Sequence, residues 1–251
     1  MSSINKIWLL MGQSHMSGVS GTIGNLPTNY KSKYLHNARA WDGSKFVVLN
    51  SDLDNSSIPT APSTRGNLSY AMTDVGNYLN EDVYLMNFSI GGTYLAEVAG
   101  QDDFSFDSVG EYYDNIVTEI NAIKSWMAAR DKAYIFEGII WWQGQADATS
   151  STYATFYGAN LTAFYDGLVT ETGNANLKLY QDYIQNAPAT NYVHYVGLNN
   201  TKTTFTAADS TNRKVYYPNF QTWNADNVHP SVTAMYLDWN NNILPFIKAD
   251  L

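Results

Sequence analysis

The chain has 251 residues, 45% of them hydrophobic, which is enough to bury a full α/β core. A formal charge of −9 argues against a nucleic-acid partner, which needs a basic patch. Without cysteine there is no disulfide, thiolate metal site or cysteine nucleophile, and no apolar run approaches the roughly 18–20 residues of a membrane span.

In chain order, Ile7-Trp8-Leu9-Leu10-Met11 reads as a buried strand. Gly12-Gln13-Ser14-His15-Met16-Ser17-Gly18 follows it, and Gly12 tolerates the sharp turn needed there. Ser14 is thereby presented at the carboxyl edge of the sheet, where open α/β sheets bind ligands. It is a candidate nucleophile, although the same pattern also fits an ordinary turn and helix cap. The apolar start is too short for a secretory signal, and cleavage would destroy the turn that it leads into. A Gly- and Asn-containing loop runs to about Tyr34, and His36 to Leu49 reads as a hairpin around Asp42-Gly43. After a loop from Asn50 to Asn67, residues Leu68, Ala71, Met72, Val75, Tyr78 and Leu79 have helical spacing. Val83 to Phe88 is a buried strand ending in Ser89-Ile90-Gly91-Gly92-Thr93. Tyr112, Tyr113, Ile116, Val117, Ile120, Ile123 and Met127 form a second helical stripe. Tyr134 to Trp142 is the next strand, followed by Gln143-Gly144-Gln145-Ala146-Asp147. Tyr153 to Val169 is helical, with Phe156, Leu161, Phe164 and Leu168 expected in the core. Leu177 to Tyr183 is a strand, Tyr192 to Tyr217 takes no clear element, with hairpins an option, and a last helix spans Ser231 to Phe246, weakened at Asn240 to Asn242. No linker, charge run or repeat divides the chain, so a single domain over 1–251 is expected. Its alternating strands and helices imply a mainly parallel sheet covered on both faces.

Four histidines could serve as a base: His15, His36, His194 and His229. His229 lies in Asp226-Asn227-Val228-His229-Pro230, where a carboxylate three residues earlier can reach the imidazole and fix its tautomer. The competing reading is an Asp capping a local turn beside a surface histidine. Gly91-Gly92 offers backbone N–H groups for an oxyanion, or simply a tight turn. Gln143 offers a side-chain amide, or simply caps a strand.

Taken together, Gly-Gln-Ser-His-Met, Ile-Gly-Gly-Thr, Trp-Trp-Gln-Gly-Gln-Ala-Asp and Asp-Asn-Val-His-Pro resemble the ordered blocks of the SGNH hydrolases. The similarity is to the carbohydrate acetylesterase branch, related to sialate O-acetylesterase and acetylxylan esterases. It implies a three-layer α/β/α, flavodoxin-like fold and cofactor-free ester hydrolysis with no metal. It also implies Ser14 as nucleophile, His229 as base and Asp226 as its orienter. The oxyanion hole would comprise the N–H of Ser14, that of Gly92 (favoured over Gly91) and the Gln143 amide. The second glycine of a Gly-x-Ser-x-Gly elbow is absent, since Met16 stands there. Two positions depart from the branch. His15 replaces an Asn and Gln145 replaces a Glu, and the two changes are read as linked. His15 is either a hydrogen-bonding stand-in for Asn or a second acid/base group.

The implied reaction is removal of O-acetyl groups from a carbohydrate. A non-catalytic carbohydrate-binding protein on an SGNH fold and a lipase or thioesterase of the same superfamily are the alternatives. Met16, Tyr94, Trp141 and Trp142 are expected to crowd the acyl side of Ser14, unless the tryptophans are core. The expected partner is an acetylated sugar, with neither nucleic acid nor membrane. The N-terminus fits a cytoplasmic enzyme, a domain of a longer secreted protein or a phage-borne tail enzyme.

Overall fold

The expected first strand forms β1 (Asn5–Gly12), and its side chains divide between two cores. Ile7, Leu9 and Met11 enter one cluster, and Trp8 and Leu10 enter the other. That is the period of two of an extended chain buried on both faces. The protein is described by a computed structural model covering residues 4–17, 28, 34–50, 71–99, 101–105, 111–186 and 192–251. Gly18, Leu68, most of the loop expected before Tyr34 and that between Asn50 and Asn67 lie outside the described residues.

The other strands are β2 (Tyr34–Trp41), β3 (Phe46–Asn50), β4 (Val83–Ser89), β5 (Tyr134–Trp142), β6 (Lys178–Asp182) and β7 (Arg213–Tyr216). They form one sheet in the order β3-β2-β4-β1-β5-β6-β7. Only the β2–β3 hairpin is antiparallel; every other pairing is parallel. The helices are α1 (Ser14–Ser17), α2 (Thr73–Leu79), α3 (Glu111–Ala128), α4 (Ser151–Thr172), α5 (Tyr195–Ala207), α6 (Val232–Asp238) and α7 (Leu244–Asp250). Helices α3 and α4 cover one face, with Ile116, Ile120, Ile123, Leu161, Phe164 and Leu168 in the core. Helices α2, α6 and α7 cover the other, through Val75, Met235, Tyr236, Leu244 and Ile247. The result is the three-layer α/β/α arrangement implied by the sequence blocks. Among the described residues, no helix is long and apolar enough to cross a membrane.

Several local expectations are corrected. The segment left without a clear element contains helix α5 and strand β7, not hairpins. On α4 it is Tyr157 that is fully buried, while Phe156 is 58% exposed. The last helix is interrupted: Trp239–Ile243 opens into a π-turn between α6 and α7. Pro245 follows it in the first turn of α7. Proline has no N–H for the carbonyl four residues back, so the wider turn sits where regular pairing fails.

Gly12 is required twice. Its φ is +141°, and a Cβ there would lie 2.1 Å from the carbonyl oxygen of Trp142 on the adjoining strand. Neither backbone can move without breaking the β1–β5 ladder. Gly12→Ala is therefore expected to cost about 3 kcal/mol or more, the sum of backbone strain and overpacking. Urea unfolding measures it.

Candidate active site

Strands β4, β1 and β5 are neighbours, and their carboxyl ends are level: Gly12 pairs with Ser89 on one side and with Trp142 on the other. The chain leaves this edge in three adjoining turns. Ile90 N donates to Gly12 O (3.0 Å), and Gln13 N donates to Trp142 O (2.9 Å). Ser14 opens the short helix α1, with the N–H groups of Met16 and Ser17 given to Gln13 O. Ser14 itself is half-buried at this edge.

Beside it, Gly91 and Gly92 are exposed, and Gly92 has φ +77°, a left-handed value suited to glycine. The turn is closed by Thr93, whose hydroxyl donates to Ile90 O (2.8 Å). Gln143 is fully buried below it. Its amide nitrogen gives one proton to Thr93 O (3.1 Å) and one to Asp147 Oδ2 (2.6 Å). An amide has two N–H donors, so none is left for an oxyanion. The expectation that Gln143 is the third donor is thus corrected: as placed, it fixes the carbonyl one residue after Gly92.

Three residues given no role by the sequence complete this support. Asp147, buried, also accepts the N–H groups of Leu95 and Ala96, tying the segment after the glycine turn to the turn that follows β5. Burial raises its pKa to about 6 against those donors. Tyr157 donates to Gln143 Oε1 (3.0 Å). Lys202 Nζ, also buried, donates to Gln143 O (2.7 Å) and Asp182 O (2.7 Å) and lies 3.3 Å from Asp182 Oδ1. Burial pushes Lys202 down and raises Asp182 to about 6.

The loop before α6 carries the other half of the site. Asp226 Oδ1 accepts the N–H groups of Val228 (2.9 Å) and His229 (3.0 Å), while Oδ2 faces His229 Nδ1 at 2.7 Å. Desolvation opposes ionisation of Asp226, but the His229 N–H, its ring and the Val228 N–H outweigh it and hold the carboxyl at about 2. Asn227 adopts φ +53° between them. Asn224 N donates to His229 O (2.8 Å), and the Ser231 side chain caps α6 by accepting from Ala234 N (3.2 Å). Asp226 thus closes the local turn through Oδ1, while its Oδ2 faces the imidazole. Among the described residues, His229 is the one histidine paired with a carboxylate. His36 is exposed on β2, and His194 precedes α5.

The two halves meet at His15, the residue after Ser14. Its ring lies edge-on to that of His229, with centroids 5.6 Å apart. Its Nε2 is 3.4 Å from Val228 O, and its Nδ1 is 3.0 Å from Gln145 Nε2. Among the described residues no hydrogen bond joins Ser14 Oγ to His229, and no group of three His, Asp or Glu is placed to hold a metal. Met16, Trp141 and Trp142 are wholly buried in the two cores, so they do not wall the acyl side. Tyr94, half-buried and edge-on to Tyr153 at 5.3 Å, remains next to the glycine turn.

The family model described as "Carbohydrate esterase, sialic acid-specific acetylesterase" matches residues 4–237. No curated protein matches the sequence. Among solved structures, a protein from Arabidopsis thaliana is similar at a TM-score of 0.71 and 18% identity, over 94% of this chain and 95% of that one. A carbohydrate acetylesterase from Xanthomonas citri is similar at 0.57 and 15% identity; 92% of this chain is covered, but only 53% of the other. An acetyl xylan esterase from Butyrivibrio proteoclasticus is similar at 0.51 and 11% identity, over 99% and 64% of the two chains. At these identities the likenesses establish a shared fold.

Proposed function

Because the chain belongs to the carbohydrate esterase family of sialic acid-specific acetylesterases, we propose that it removes O-acetyl groups from a carbohydrate through Ser14, His229 and Asp226. The carrying observation is the 2.7 Å Asp226–His229 pair, whose imidazole packs edge-on against His15, the residue after Ser14. An ionised Asp226 holds the proton on His229 Nδ1 and leaves Nε2 free to act as base. His229 takes the Ser14 proton as Oγ attacks the acetyl carbonyl, and the carbonyl oxygen becomes an oxyanion beside the N–H groups of Ser14 and Gly92. The C–O bond to the sugar breaks, and His229 returns the proton to the departing alcohol. Water, activated by the same histidine, then releases acetate and regenerates Ser14.

The test is a series of nitrophenyl esters together with direct measurement of acetate released from an O-acetylated oligosaccharide. An acetyl-sized acyl site fits the family, and each added methylene forced against a filled pocket there would cost on the order of 1–3 kcal/mol. Acetate is expected to be cut at least about tenfold faster than butyrate, with octanoate slower still. Equal or faster cleavage of octanoate would favour a lipase or thioesterase, and no cleavage of any ester would favour a binding protein.

A further inference from the structure

His15 and Gln145 are the two positions at which this chain departs from the blocks it otherwise resembles, and their side chains touch. We propose that they are a matched pair that positions the base: Gln145 donates to His15 Nδ1, so that His15 Nε2–H holds the Val228 carbonyl and, with it, the His229 ring. This rests on the reading of His229 as the base. His15 is a positioning residue here, not a second acid/base group.

Hydrogen-bond chemistry leaves one consistent arrangement. A neutral imidazole has one donor and one acceptor nitrogen. Nε2 faces a carbonyl, which can only accept, so Nε2 must carry the proton and Nδ1 must be the acceptor. Nδ1 therefore needs a donor, and the Gln145 amide supplies it at 3.0 Å. Reversing that amide would put its oxygen against Nδ1, pull the proton there, and leave two lone pairs facing each other at Val228. The cost of the observed arrangement is Gln145 Oε1, which is buried without a partner among the described residues. A missing bond to a carbonyl oxygen is the milder defect. A doubly protonated ring is excluded at neutral pH, because burial, then the neighbouring His229, lower the pKa of His15 to about 4. Glutamate at 145 could not do the same task, since a carboxylate only accepts and would demand a proton on Nδ1.

The mechanical consequence is local. Val228 is bonded directly to His229, so its carbonyl fixes the backbone one peptide before the base. The His15 ring limits rotation of the His229 ring from the side, and is itself packed edge-on against Phe220 with centroids 6.1 Å apart.

Two substitutions separate this from simple packing. The amide nitrogen of glutamine reaches the position of a histidine Nε2, whereas that of asparagine reaches only Nδ1. His15→Gln is expected to keep kcat within about threefold, and His15→Asn to lower it about tenfold or more with KM nearly unchanged, because a misplaced base slows chemistry more than binding. Nitrogen NMR of the wild-type protein is the independent arm: His15 is expected neutral, with its proton on Nε2, at pH 7. A wild-type Nδ1–H tautomer or imidazolium would overturn the proposal, as would a fully active His15→Asn or equal impairment of the two folded variants. If the wild-type protein cleaves no ester, the esterase reading fails while the NMR result still decides the tautomer.

Discussion

Ser14→Ala is expected to fold normally and to lose about 10⁶ in turnover, the scale on which a serine hydrolase responds to loss of its nucleophile. The fold is indifferent to the change. Ser14 is half-buried in a one-turn helix whose backbone bonds run to Gln13 O, and none of them uses the Ser14 hydroxyl. Alanine also favours the helix. Melting temperature should move by about 2 °C or less, as for a substitution outside the core in a chain of this size. Steady-state rates on an acetate ester give the comparison, and a variant retaining wild-type rates would exclude Ser14.

Asp226→Asn is expected to lower turnover by about 10⁴ with little loss of stability, since an amide in place of a triad carboxylate leaves the geometry intact but selects the wrong tautomer. The structure separates the two tasks by atom. Oδ1 holds the Val228 and His229 N–H groups, and an asparagine oxygen can keep both. Oδ2 receives the His229 Nδ1 proton, and an NH₂ group there would force that proton to Nε2. A ring protonated at Nε2 cannot accept the serine proton. The sign with pH follows from the depressed pKa of Asp226: its pairing is present above its ordinary range and is lost only as pH falls through about 2. No acid limb in activity above pH 4 is therefore expected from Asp226. A melting temperature that collapsed with activity would make Asp226 a turn-closing residue only.

Much of this was legible in the sequence because it depends on local pattern. The apolar runs of β1, β4 and β5 leave little choice but central strands, and the turn around Gly92 and the Asp226–His229 pair each form within a few residues. What escaped depends on partners far along the chain. Helix α5 buries Leu198, Lys202 and Phe205, a helical stripe with a cation at its centre. Asp182, twenty residues earlier, and the Gln143 carbonyl, fifty-nine residues earlier, make that lysine tolerable inside, so the stripe reads as broken. Phe156 and Tyr157 are adjacent aromatics, and hydrophobicity alone cannot choose the inward one. The hydroxyl decides, because Tyr157 meets Gln143. Gln143 itself stands four residues before Asp147, a spacing that hinted at an internal bond but not that Thr93 would take its second proton. Trp141 and Trp142 face opposite cores, as alternating strand residues must.

The central claim is that Ser14 is the nucleophile activated by His229, and trapping the serine tests it most directly. The protein is incubated with an activated phosphonate ester, which traps a catalytic serine as a stable adduct, and the labelled peptide is located by mass spectrometry. One adduct per chain on Ser14 is expected, with parallel loss of esterase activity, no labelling of Ser14→Ala and slow labelling of His229→Ala. Inactivation with the label on any other residue, or undiminished labelling of His229→Ala, would contradict it.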